Sequence, residues 1–74
     1  MARIDIKSEI TGKVWKIEAK PGDRLSEDDP IIILESMKME IPIMAPVDGT
    51  IIEIRVAEED AVEEEQIVAI MEEA

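Results

Sequence analysis

The side chains able to do chemistry are few. The 74 residues include no His, Cys, Tyr, Phe or Asn, and they offer only three serines (Ser8, Ser26, Ser36) and two threonines (Thr11, Thr50). A Ser-His or Cys-His nucleophile is therefore impossible, and neither imidazole nor thiolate is present to hold a transition metal. The acid clusters Glu27-Asp28-Asp29, Glu58-Glu59-Asp60 and Glu63-Glu64-Glu65 lack the spaced D-x-[DN]-x-[DN]-G pattern of a calcium loop, and they read as solvated turns. No catalytic residue and no metal site is expected. What remains is one segment, Glu35-Ser36-Met37-Lys38-Met39-Glu40, with apolar runs on both sides and no Gly, Asn or Asp inside it. A two-residue hairpin centred on Met37 and Lys38 would normally want φ > 0 at its centre, a conformation that Asn-Gly supplies readily and Met-Lys does not. Glu35 and Glu40 would then face each other across the strands, where like charges are mildly destabilising, and two thioethers would stand near a solvent-facing tip. Several local rules broken together mark a place where function chose the residues. Lysine is an ammonium at neutral pH unless something activates it, so Lys38 at such an apex needs an external enzyme and reads as a modification site.

The elements that would present this hairpin are strands. Fourteen Ile and five Val against two Leu favour a pleated, half-buried surface over helices. Segments 2–6, 13–19, 31–35, 39–45, 50–56 and 67–71 are strand-like runs, most of them separated by Gly, Pro or acid clusters. Alternation predicts Trp15, Ile17 and Ala19 inward with Val14, Lys16 and Glu18 outward. The run Ile31-Ile32-Ile33-Leu34 is continuously apolar and leaves its inward face ambiguous. A shift of 37 residues lays the chain on itself: Gly12 meets Gly49, Asp23 meets Asp60, Ile33 meets Ile70, and Trp15 meets Ile52. Each copy is too small to bury its own apolar face, so the two are expected to pack face to face as a flattened sandwich with approximate two-fold symmetry. Glu59 stands where the first copy has Gly22. If that turn requires φ > 0, the second copy holds a strained glutamate there.

Composition bounds the rest. A chain this short makes one domain, residues 1–74, with one thin core and no deep cleft. The formal charge is −11, with 19 acids against 8 bases. Phosphate binding needs clustered Lys and Arg, so a nucleic-acid partner is not expected, and an anionic membrane would repel the chain likewise. No run approaches the length of a membrane span, and no basic-then-apolar leader precedes Ile4. The expectation is a cytoplasmic protein with a monomeric body that is not itself an enzyme.

The segment Glu35-Ser36-Met37-Lys38-Met39-Glu40 resembles the attachment motif of the biotinyl domains in the biotin/lipoyl attachment superfamily. Lys20-Pro21-Gly22-Asp23 and Met44-Ala45-Pro46-Val47-Asp48-Gly49-Thr50 fall where such domains carry related segments, so the likeness extends over nearly the whole chain. It implies an all-β fold: a flattened barrel of two four-stranded antiparallel sheets with quasi-two-fold symmetry, the modified lysine on a protruding hairpin, and two very short strands around Arg24-Leu25 and Ala61-Val62. It implies biotin, joined covalently to Lys38 by a biotin protein ligase through an activated adenylate, with Met37, Met39, Glu35, Ser36 and Glu40 completing the motif. The biotinyl arm would carry carboxyl groups between a biotin carboxylase and a carboxyltransferase, as in acetyl-CoA carboxylase and other biotin-dependent carboxylases, and this chain would be the non-catalytic carrier. The short stretch 19–30 resembles the type without a protruding thumb. The alternative is a lipoyl carrier of a 2-oxo-acid dehydrogenase or glycine-cleavage system, or a protein that accepts both groups. Lipoyl domains typically place Asp before the lysine and Ala after it, where this chain has Met37 and Met39.

Overall fold

The computed structural model describes residues 2–74; Met1, the first residue of the expected domain, lies outside the described residues. Eight strands follow one another: β1 (Arg3–Lys7), β2 (Gly12–Ile17), β3 (Arg24–Leu25), β4 (Pro30–Ser36), β5 (Met39–Met44), β6 (Gly49–Ile54), β7 (Ala61–Val62) and β8 (Ile67–Glu73). The six expected strands are present with ends moved by one or two residues. The two short ones stand where the resemblance put them. Every pairing is antiparallel, in two four-stranded sheets of order β1-β8-β6-β3 and β5-β4-β2-β7.

The 37-residue repeat is structural, since β2, β3 and β4 coincide with β6, β7 and β8 under that shift. The copies do not each form one sheet, however. Each sheet takes two strands from either copy, β1 and β3 with β6 and β8, then β2 and β4 with β5 and β7. Backbone groups that one copy cannot satisfy are paired by the other, in symmetric couples. The Gly22 N–H donates to the Ile51 carbonyl and the Glu59 N–H to that of Val14, both at 2.8 Å. Ser8 N–H likewise donates to the Gln66 carbonyl at 2.9 Å, and Ala45 N–H to that of Asp29 at 2.8 Å. Interleaving of this kind pairs backbone groups that neither copy, too short to complete a sheet by itself, could satisfy alone.

Four bulges, also 37 residues apart, decide which residues fill the core. In β2 and β6 the extra residues are Trp15 and Ile52; in β4 and β8 they are Ile31 and Val68. A bulge lets two consecutive side chains lean to one face. Ile31 and Ile32 are accordingly both buried, as are Val68 and Ala69, which settles the ambiguous apolar run. The same device corrects the expected facing of β2. Val14 is fully buried and Trp15 is 43% exposed, the reverse of the alternation, because Trp15 is the inserted residue. Beyond the bulge the parity recovers: Lys16 and Glu18 are exposed, Ile17 is half-buried and Ala19 is buried. Val14, Ile32, Leu34, Ile51, Val62 and Met71 fill the space between the sheets. Full burial of each such side chain contributes about 1.5–3 kcal/mol.

The acid clusters make turns. Asp23 accepts from the Lys20 N–H at 3.0 Å, Asp29 from Ser26 at 2.9 Å, Asp60 from Ala57 at 2.9 Å, and the Gln66 amide oxygen from Glu63 at 2.9 Å. In each turn the backbone N–H of the fourth residue returns to the carbonyl of the first, and the third residue has φ > 0: Gly22, Asp28, Glu59 and Glu65. Among the described residues no group of three acids is placed to hold a metal ion.

Candidate functional site

The ladder between β4 and β5 runs from Pro30↔Met44 through Glu35↔Glu40 to Ser36↔Met39, leaving Met37 and Lys38 as the whole connection. Both have positive φ, 52° and 65°, the pattern of a type I′ turn. That turn suits the right-handed twist of the flanking strands. A non-glycine residue held in this region costs about 1–2 kcal/mol, and here two consecutive residues bear the cost. Six cross-strand pairs below the tip hold the strands in the register that this two-residue turn closes.

The base of the hairpin is held from the side. Ser36 Oγ donates to the Thr11 carbonyl at 3.1 Å, and the Thr11 hydroxyl oxygen accepts from the Glu64 N–H at 3.3 Å, linking the hairpin to the turn between β7 and β8. Gly12 passes so close beneath that a Cβ there would lie 2.9 Å from the Glu35 carbonyl oxygen. Any side chain at position 12 would push the hairpin base outward. Thr11 and Gly12 thus position the site, although the sequence marked Gly12 only as the repeat partner of Gly49 and gave no signal for Thr11.

Above this base the side chains point into solvent. Met37 is 91% exposed and Met39 62%, so neither caps the core, and Lys38 is exposed between them. Lys13 pairs with Glu59 at 3.2 Å, Lys16 with Glu18 at 3.9 Å and Lys20 with Asp23 at 3.6 Å. Among the described residues Lys38 has no such ion pair and no side-chain hydrogen bond. Glu35 and Glu40 face each other in register and are likewise unpaired among the described residues. The six residues singled out from the sequence, Glu35 through Glu40, therefore form one continuous tip. Its chemistry is that of one primary amine at the apex of a paired hairpin, held in no ion pair among the described residues.

The tip lies far from the chain's end. Ala74 N–H bonds to the Asp48 carbonyl at 3.0 Å, and Asp48 Oδ1 accepts from the Glu27 N–H at 2.8 Å, which places the C-terminus beside the beginning of β4, whereas the hairpin follows its end. The body measures 36 × 17 × 17 Å.

Comparison with known proteins adds to this geometry. The model of the family described as "Biotin-requiring enzyme" matches residues 5–71. The "Biotinylated protein TB7.3 homolog" of Mycobacterium leprae is 33% identical over 67 residues, covering 90% of this chain and 94% of its own length. The "Biotin/lipoyl attachment protein" of Bacillus subtilis is 41% identical over 59 residues, 80% of this chain and 81% of its own. Among solved structures, the urea carboxylase of Kluyveromyces lactis contains a segment that superposes with a TM-score of 0.91 at 34% identity, over 96% of this chain and 6% of that one.

Proposed function

The chain belongs to the biotin/lipoyl attachment family, and from that premise we propose that it is a biotin carboxyl carrier whose acceptor is Lys38. The observation that carries this reading is the unpaired lysine at the apex of a doubly strained turn, between two exposed methionines. Biotin is the cofactor, and its fit to the site is direct: an amide on Lys38 Nζ needs a free amine, open space around it and a fixed support, all of which the hairpin provides. In the attachment step Nζ attacks the acyl carbon of a biotinyl adenylate held by a biotin protein ligase; the C–N bond forms, the acyl C–O bond to the adenylate's phosphate breaks, AMP leaves and the amine loses a proton. Bound biotin carries carboxyl groups between a biotin carboxylase and a carboxyltransferase. The chain itself contributes no catalytic group. It holds the arm on a rigid body, which raises the effective concentration of the reactive ring at either enzyme. The occurrence of the same fold as a small part of a urea carboxylase supports carboxylase partners.

The name of the Bacillus subtilis relative favours one second reading, a lipoyl group on the same lysine. Intact mass after incubation with purified biotin protein ligase or lipoate ligase separates the two adducts. Lys38→Arg is expected to abolish labelling while Lys7, Lys13, Lys16 and Lys20 remain unmodified. Its stability should stay within about 0.5 kcal/mol of the parent, as for other exposed surface sites. Undiminished biotinylation of that variant would remove Lys38 from the role.

A further inference from the structure

The outer face of the sheet β5-β4-β2-β7 carries an apolar strip that the fold does not require. Val14, Ile32 and Leu34 point into the core, so Lys16, Ile33 and Pro42, paired in register across β2, β4 and β5, point outward. Trp15 lies beside Lys16 on the bulge, and Met44, two residues beyond Pro42, is 48% exposed. Trp15, Ile33, Pro42 and Met44 therefore cross three strands on one face. On the other sheet the positions 37 residues away are Ile52, Ile70, Asp5 and Lys7, where Asp5 pairs with Ile70 in the same register. The two faces share a backbone arrangement, and only one of them ends in an apolar row bordered by a tryptophan.

On the reading of Lys38 as acceptor, we propose that this face is the docking surface for the enzyme that acylates it, a globular protein presenting an apolar patch edged with Lys or Arg. Before modification the lysine carries no long arm, so that enzyme must press against the body of the domain. A stable interface buries about 800 Å² on each partner, far more than a six-residue tip supplies, and contact must spread onto an adjoining surface. Ile33 precedes Lys38 by five residues, roughly 16 Å along an extended strand, within the span of one interface. Tryptophan is among the side chains that most often carry the binding energy of such interfaces. The polar edge also fits. Glu35 and Glu40 oppose one another beside the tip, and Lys13, the register partner of Glu35, directs its ammonium to Glu59 instead. Cations of the partner would relieve that repulsion, and the chain's charge of −11 attracts such a surface while opposing a second copy of itself.

The test uses the whole chain with purified biotin protein ligase, biotin and ATP. Trp15→Ala is expected to raise KM about ten-fold with kcat held to about two-fold, Trp15→Phe to restore most of the loss, and Ile52→Ala, at the symmetric position, to change neither beyond about two-fold. Because Trp15 is the only tryptophan, 5-fluorotryptophan places a single ¹⁹F label on the face. Its resonance should shift or broaden when ligase is added to the Lys38→Arg chain, which binds without turnover. An unchanged KM for folded Trp15→Ala overturns the proposal, as does an equal loss for Ile52→Ala. Should Trp15→Ala fail to fold, an unperturbed ¹⁹F signal overturns it alone. A parent chain that sediments as a dimer and becomes monomeric in Trp15→Ala assigns the face to a second copy instead. Failure of the underlying reading is separable: intact mass would then show an adduct elsewhere or none, and the docking proposal falls with it.

Discussion

At the scale of single residues, Met37 and Met39 are the least expected occupants of their positions. Nothing in the packing retains them, since both lie outside the core, and Met37 occupies a left-handed conformation that asparagine would hold at lower cost. Flexible, polarisable thioethers suit an apolar pocket on a partner, and under the proposed attachment at Lys38 the two that flank its amine would make a recognition code for the modifying enzyme. Combining Met37→Asp with Met39→Ala should lower the initial rate of biotinylation strongly and make Lys38 a better substrate for the lipoylating enzyme. Burying an introduced, unpaired carboxylate in an apolar ligase pocket costs several kcal/mol, and selectivity is a difference of such costs. Rates with each purified ligase and thermal unfolding of both chains check this. Unchanged rates would remove the methionines from the code. A large fall in unfolding temperature would contradict their exposure.

At the scale of elements, the four turns show why some of this fold is written openly and some is hidden. Pro21-Gly22 announces its turn, because proline presets φ and glycine accepts a positive φ freely. Asp28, Glu59 and Glu65 take the same conformation with φ of 74°, 76° and 74° and carry no such signal; only the repeat, by setting Glu59 against Gly22, exposes one of them. Glu59→Gly should therefore stabilise the domain by about 1 kcal/mol, a rise of roughly 4–8 °C in Tm for a chain of this size. The ion pair to Lys13 lost in the exchange is exposed and offsets at most a few tenths of that gain. A lower Tm would show that the strain is already relieved elsewhere. The bulges are hidden for a related reason. Alternation assumes one residue per register step, so an inserted Trp15 inverts every inference made upstream of it, and Val14 is misassigned while Ala19 is not. The tip was legible because it breaks rules that local sequence can state. Its support was not, since Thr11 and Gly12 meet Ser36 and Glu35 only after β2 and β4 have paired.

At the scale of the whole molecule, charge and topology divide differently between the two copies. Residues 1–37 hold six cations against eight acids, whereas residues 38–74 hold two against eleven, so the second copy carries most of the acidity although the backbone repeats closely. Within either copy alone only one strand pairing is complete, β2 with β4 in the first and β6 with β8 in the second. The pairings β1 with β8, β2 with β7, β3 with β6 and β4 with β5 all join one copy to the other. A single two-stranded pair is at best marginal in water, and the four-stranded sheets that bury the core exist only when both copies contribute. Peptides 1–37 and 38–74 should therefore each be unfolded in isolation, the second also kept extended by self-repulsion, while equimolar mixing restores β structure and a cooperative thermal transition. Far-UV circular dichroism of the separate and mixed peptides checks this, with Trp15 fluorescence reporting the environment of the first copy. A cooperative transition in either peptide alone would show that one copy can close a core by itself, and that interleaving is a consequence of the covalent link and not the condition for folding.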